Sequence, residues 1–133
     1  MDNKVLICNA LEARKMSYSP YSGYAVGAAV LGEDGQIYRG ANIENASYGA
    51  TVCAERNAIF NAVLNGNRHI KAIAVAGGYK DADELTDYAY PCGMCRQVMT
   101  EFGHKDMKVL VALSENDYKE FLLNELIPCA FEL

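Results

Sequence analysis

Apolar residues recur every three or four positions near the start of the chain, where Val5, Leu6, Cys8 and Leu11 with neighbouring alanines predict a helix over 3–15. It stops at Ser17-Tyr18-Ser19-Pro20, because proline pushes the residue before it into extended conformation. Two extended stretches follow, an apolar run of small and β-branched residues over 24–31 and a second over 35–43. The turn residues Gly32-Glu33-Asp34-Gly35 make them a hairpin. Helical spacing returns over 53–65 in Ala54, Ala58, Ile59, Ala62 and Val63, with Glu55 in the first turn and Gly66 as the stop. Residues 70–76 read as a strand, the acidic stretch 79–90 as a surface loop, and 93–102 as a helix ended by Gly103. The continuous apolar run 109–113 fits a buried central strand. Over 115–127 the pattern fits a single helix, and equally a short strand over 118–122 followed by a short helix before Pro128. This order predicts an α/β fold in three layers. Its mixed sheet is antiparallel in the hairpin, parallel where helices join the later strands, and covered by helices on both faces. No repeat, low-complexity tract or linker interrupts the pattern, so 1–133 reads as one domain.

Composition narrows the function. A chain of 133 residues, 51% hydrophobic, builds a core without disulfides, so its five cysteines need another explanation. Twelve basic against seventeen acidic side chains give a net charge of −5, and Arg14-Lys15 is the only adjacent basic pair. Neither nucleic acid nor a membrane surface is an expected partner. No apolar run reaches the roughly 18 residues of a spanning helix and no signal-peptide pattern opens the chain, so a cytoplasmic location is expected. Thiols in that reducing compartment are metal ligands, nucleophiles or core residues.

Spacing chooses among these. Cys92 and Cys95 stand in Pro91-Cys92-Gly93-Met94-Cys95-Arg96 at a predicted helix start, three apart and on one face. Alone, the pair fits a soft metal or a redox dithiol. Cys53 opens the other strong helix, so three thiols stand at two helix N-termini, where unpaired N–H groups and partial positive charge favour thiolates. If the two helices dock side by side on the sheet, the sulfurs meet as a three-ligand zinc site with an open fourth position, the catalytic pattern. Glu55 is two residues from Cys53, about 200° round the helix, and can flank the metal as a proton shuttle rather than a ligand.

Cys53-Ala54-Glu55 followed by Pro91-Cys92-Gly93-Met94-Cys95 matches the zinc-deaminase signature. Together with Tyr18-Ser19-Pro20-Tyr21-Ser22, Asn42-Ile43-Glu44-Asn45-Ala46-Ser47-Tyr48 and Leu126-Ile127-Pro128-Cys129-Ala130-Phe131, it makes the sequence resemble the small cytidine deaminases of nucleoside salvage over most of its length. The resemblance implies a three-layer α/β/α fold with a mixed five-stranded sheet. It implies one Zn2+ per subunit on Cys53, Cys92 and Cys95, and Glu55 as the catalytic acid and base. It implies a cytidine or 2′-deoxycytidine substrate, and a homotetramer with shared active sites.

Further roles come with the resemblance. Asn42 and Glu44, expected on one side of the second hairpin strand by alternation, would contact the ribose. The Ala54 backbone would help hold the base, and Tyr24 would stack on it where relatives often carry phenylalanine. Tyr48 and Phe131 would reach into a neighbouring subunit's pocket. Arg56 would hydrogen-bond the thiolates and withdraw the excess negative charge that three of them place around a divalent ion. Outside the motif, Cys8 reads as a core residue, and Cys129 as a bystander or as a fourth ligand in a purely structural zinc module. His69 and His104 read as surface residues. The 79–90 loop, longer than in compact relatives, reads as a solvated insertion or as a flap over the pocket.

Overall fold

The computed structural model describes residues 2–133. The Asp2 side chain accepts the Lys4 N–H at 3.0 Å and starts α1 (Asn3–Ala13), which tightens into a 3₁₀ turn over Arg14–Met16. The hairpin is β1 (Tyr24–Gly32) and β2 (Ile37–Ala41). It is followed by α2 (Ala54–Leu64), β3 (Ile70–Tyr79), α3 (Gly93–Phe102), β4 (Lys108–Ser114), β5 (Asp117–Leu122) and the single turn α4 (Leu123–Leu126). The tail takes the strand-and-helix form of its two readings, with Val109 opposite Phe121 and Ala112 opposite Tyr118. β2 is shorter than the pattern predicts because Ile43 leaves the ladder and bridges Tyr18 and Val52 instead. β3 is longer, running through Gly77 and Gly78 until Tyr79 pairs with Tyr24.

The sheet is mixed and ordered β2-β1-β3-β4-β5, with β3 and β4 parallel and every other neighbouring pair antiparallel. Alternation divides the core between its two faces. Val30, Ile73, Val75, Val109 and Val111 pack with Ala58, Ile59, Cys95 and Met99 of α2 and α3. Ala29, Ala72, Ala74, Leu110 and Ala112 pack with Leu6, Ile7 and Ala10 of α1. Cys8 is not in that second core. It is half-buried, and its thiol donates to Glu115 at 3.2 Å, since the buried side of α1 runs through Leu6, Ile7, Ala10 and Ala13.

This topology places the functional end of the molecule. Because β2 and β3 are both antiparallel to β1 they run in one direction, and α2 and α3 each start beyond the carboxyl end of one of them. Ligand sites of open α/β sheets lie in that position. The seating of α2 is close: a Cβ at Gly40 of β2 would lie 2.2 Å from Ala58 N and 2.6 Å from Ala54 O. The absence of a side chain at Gly40 therefore sets how near the first turn of α2 comes to the sheet, and overpacking of that kind costs about 1–3 kcal/mol.

Candidate active site

Cys53 caps the N-terminus of α2, Cys92 caps that of α3, and Cys95 lies in the first turn of α3. The Sγ atoms of Cys53 and Cys92 are 3.7 Å apart and those of Cys92 and Cys95 3.5 Å, all three lying within 4.8 Å of one another. Sulfurs held tetrahedrally at the usual zinc–thiolate length stand about 3.8 Å apart, so the soft donor set and its spacing fit zinc. No fourth side chain joins the group among the described residues. Cys129 is exposed and lines a different cavity with His104 and Lys105, so it does not supply the fourth ligand that a structural zinc module needs.

The electrostatics suit metal binding. Hydrogen bonds from Cys95, Arg56 and Cys92 outweigh burial and bring the Cys53 thiol down to about 5. Cys95 shifts the opposite way, chiefly because its thiol is hydrogen-bonded with Cys53 and is itself buried beside Glu55, so it is the thiol that holds its proton more firmly. One Arg56 Nη lies 3.5 Å from the Cys53 sulfur, while its buried Nε has no partner among the described residues. That is the placement that drawing charge from a cluster of thiolates would require. Arg56→Ala is expected to lower kcat about 10–100-fold with zinc still bound, and to move the acidic limb of the pH–rate profile to higher pH. An unmoved profile would make Arg56 a structural residue only.

Glu55 is only 4% exposed. Burial first, and then the charge of Cys53, push its carboxyl up to about 7. It shares a cavity of about 320 Å³ with Cys53 and Cys92. Tyr24 and Val26 of β1, Asn42, Thr51 and Ala54, and Ala89 and Tyr90 of the loop before α3 complete its lining.

The other sequence-derived positions fall in different places. Asn42 borders the cavity and ties it together: its Oδ1 accepts from Val26 N–H at 2.9 Å and from the Ser17 hydroxyl at 2.6 Å, and its Nδ2 donates to Tyr24 C=O at 2.8 Å. Glu44 lines an adjoining cavity with Tyr21, Ser22 and Tyr48, where it accepts from the Tyr21 and Ser22 N–H groups and the Ser22 hydroxyl. Those bonds hold its carboxyl below the usual range. Asn42 and Glu44 thus share no single cavity, because the strand ends at Ala41 and its pleat does not continue through them. Thr51 borders both cavities. The half-buried Tyr24 meets Tyr79 edge-on at 5.3 Å. Tyr48 is 77% exposed and Phe131 69% exposed, and neither lines the thiol cavity. His69 and His104 are exposed, as expected.

Sequence reasoning passed over Arg96. Its Nε donates to Pro91 C=O and its Nη1 to Leu126 C=O, each at 2.7 Å, so it fixes the approach to Cys92 against the C-terminal segment. Its place directly after Cys95 was the available signal.

Three thiols gathered at two helix N-termini beside a buried carboxylate, at one end of a mixed sheet, are the makings of a zinc site with a neighbouring acid–base group. Residues 2–111 match the family model for the cytidine and deoxycytidylate deaminase zinc-binding region, and the chain belongs to that enzyme family. It is 48% identical over 131 residues to a cytidine deaminase of Halalkalibacterium halodurans, covering 98% of this chain and 95% of that one. Its structure is similar to the crystal structure of cytidine deaminase from Burkholderia pseudomallei, with a TM-score of 0.88, 41% identity and coverage of 98% and 100%. For cytidine deaminase from Mycobacterium tuberculosis the TM-score is 0.85 at 35% identity, covering 100% and 99%. No helix among the described residues is long and apolar enough to cross a membrane.

Proposed function

We propose that residues 1–133 form one deaminase domain that hydrolyses cytidine and 2′-deoxycytidine to uridine and 2′-deoxyuridine, releasing ammonia, in pyrimidine salvage. The observation that carries this reading is the set of three thiols with sulfurs 3.5 and 3.7 Å apart, two of which, Cys53 and Cys92, line one cavity with a buried glutamate. The naming of the relatives as cytidine deaminases supports the substrate class.

Cys53, Cys92 and Cys95 would hold one zinc ion, which when bound supplies the Lewis acidity that makes water deprotonable near neutral pH. The proton work falls to this chain. The Glu55 carboxylate takes a proton from the attacking water and delivers it to N3 of the cytosine while the water oxygen bonds to C4. It then carries the remaining proton of that oxygen to the amino group. The C4–N bond breaks, ammonia leaves and the C4 carbonyl forms, so that cytidine and water become uridine and ammonia. A carboxyl brought to about 7 is suited to both directions of transfer.

The cavity walls suggest how the nucleoside is held. Tyr24 offers a ring for the base, the backbone of Ala54, which lines the same cavity, helps hold it, and Asn42 with Glu44 contacts the ribose across the boundary at Thr51. The exposure of Tyr48 and Phe131 suits residues that complete a neighbour's pocket in a homotetramer. Steady-state rates on four substrates test the reading. Cytidine and 2′-deoxycytidine should both be converted, while cytidine 5′-monophosphate and single-stranded oligodeoxycytidylate should fall about tenfold or more in kcat/KM, because Glu44 and the −5 charge repel phosphate. Preference for either phosphorylated substrate would overturn it.

A further inference from the structure

The second half of the acidic segment between β3 and α3, from Leu85 onward, is seated on the protein. Leu85 covers Gly78, where a Cβ would lie 2.6 Å from its Cδ2, and Ala89 covers Gly77, where a Cβ would lie 2.9 Å from its Cβ. Two glycines that would ordinarily read as a turn are therefore strand residues whose missing side chains make room for the loop. The far end of the segment meets β5. Asp117, Lys119 and Phe121 alternate along that strand and so present one face, the same face as Val109 and Val111 beneath α2 and α3. The Tyr88 hydroxyl donates to Asp117 Oδ1 at 2.5 Å, and Lys119 Nζ donates to the Tyr90 hydroxyl at 3.0 Å. The same ammonium stands 4.5 Å from the Tyr88 ring centroid and 5.7 Å from that of Tyr90, whose ring meets Phe121 edge-on at 6.0 Å.

We propose that Asp117 and Lys119, which lie outside the thiol cavity, are positioning residues for it: they pin 88–90 to β5 and thereby fix the part of the cavity lining that Ala89 and Tyr90 present to the nucleoside. Residues 85–90 are thus a fixed wall rather than a flap. Both clamps persist through neutral pH, because Asp117 holds the Tyr88 hydroxyl above its ordinary range and the Tyr90 hydroxyl does the same for the Lys119 ammonium. As a statement about substrate binding, the inference rests on the cytidine reading above.

Asp117 and Lys119 are exposed, so their replacement leaves the core intact. In the Asp117→Ala, Lys119→Met double variant, KM for cytidine should rise about fivefold to tenfold with kcat within about twofold, a part of what two hydrogen bonds and the exposed cation–π contacts together carry. Zinc content should stay at wild-type level. Amide hydrogen exchange across 86–91 should quicken while α2 and β4 exchange as before, and the single variant Lys119→Arg, which keeps Asp117 and a cation over the rings, should retain a KM near that of the wild type. An unchanged KM, or a fall in kcat accompanied by loss of zinc, would overturn the proposal. If the wild-type chain did not deaminate cytidine, the functional reading would fail by itself. The exchange rates would then decide the anchoring, which unchanged exchange across 86–91 would overturn.

Discussion

Glu55→Gln is expected to reduce kcat for cytidine by about 10²–10⁴-fold while KM moves little and zinc stays bound. The amide keeps the size and shape of the carboxyl in a site that is almost fully buried, so packing around Ala54 and Ala58 is preserved. What it loses is the ability to accept a proton from water and return it, first at N3 and then at the departing amino group. The expectation depends on Glu55 being a neighbour of the thiol cluster and not a member of it, as the grouping of Cys53, Cys92 and Cys95 alone indicates. Initial rates set beside metal analysis of the same preparation check both halves. A Gln variant of wild-type rate would remove Glu55 from the chemistry, and one that lost its zinc would make it a ligand.

Cys95→Ser has the second large effect. Cys95 is wholly buried in the first turn of α3, its sulfur 3.5 Å from that of Cys92, where the shorter and harder serine oxygen cannot replace it for a soft cation. Two thiols in place of three should weaken zinc binding by more than the roughly 10–100-fold typical of residues that only support a ligand, and activity should disappear with the metal. Cys129→Ser is the matched control, since that thiol is exposed and lines another cavity, and it should keep both zinc and rate. Equal zinc content in the Cys95 variant and the wild type would place the metal elsewhere.

The parts of this account that were legible in the sequence are those governed by short-range rules. The apolar runs 24–31, 70–76 and 109–113 marked the three central strands, and Gly103 marked the end of α3. The thiol cluster could be anticipated because a helix N-terminus is recognisable from its capping position and first turn, and two such starts on one sheet end leave little freedom in where Cys53 and Cys92 point. Long-range packing was hidden. Gly77-Gly78 resembles a turn until Leu85 and Ala89 are seen to cover it. The tail pattern suits helix and strand alike, and pairing with β4 decides it. Lys119 carries no motif, and its contacts with Tyr88 and Tyr90 join positions about thirty residues apart. Alternation also misled in placing Asn42 and Glu44 on one side, because Asn42 turns inward to staple β1 just where the strand has ended.

The measurement that bears most directly on the central claim is a zinc titration of chelator-stripped protein, with conversion of cytidine to uridine and ammonia followed at each addition. Activity should be absent without metal, rise in proportion to added zinc, and break at one ion per chain, as a single three-thiol site requires. Deamination by the stripped protein, or a zinc-loaded protein that leaves cytidine unchanged, would contradict it.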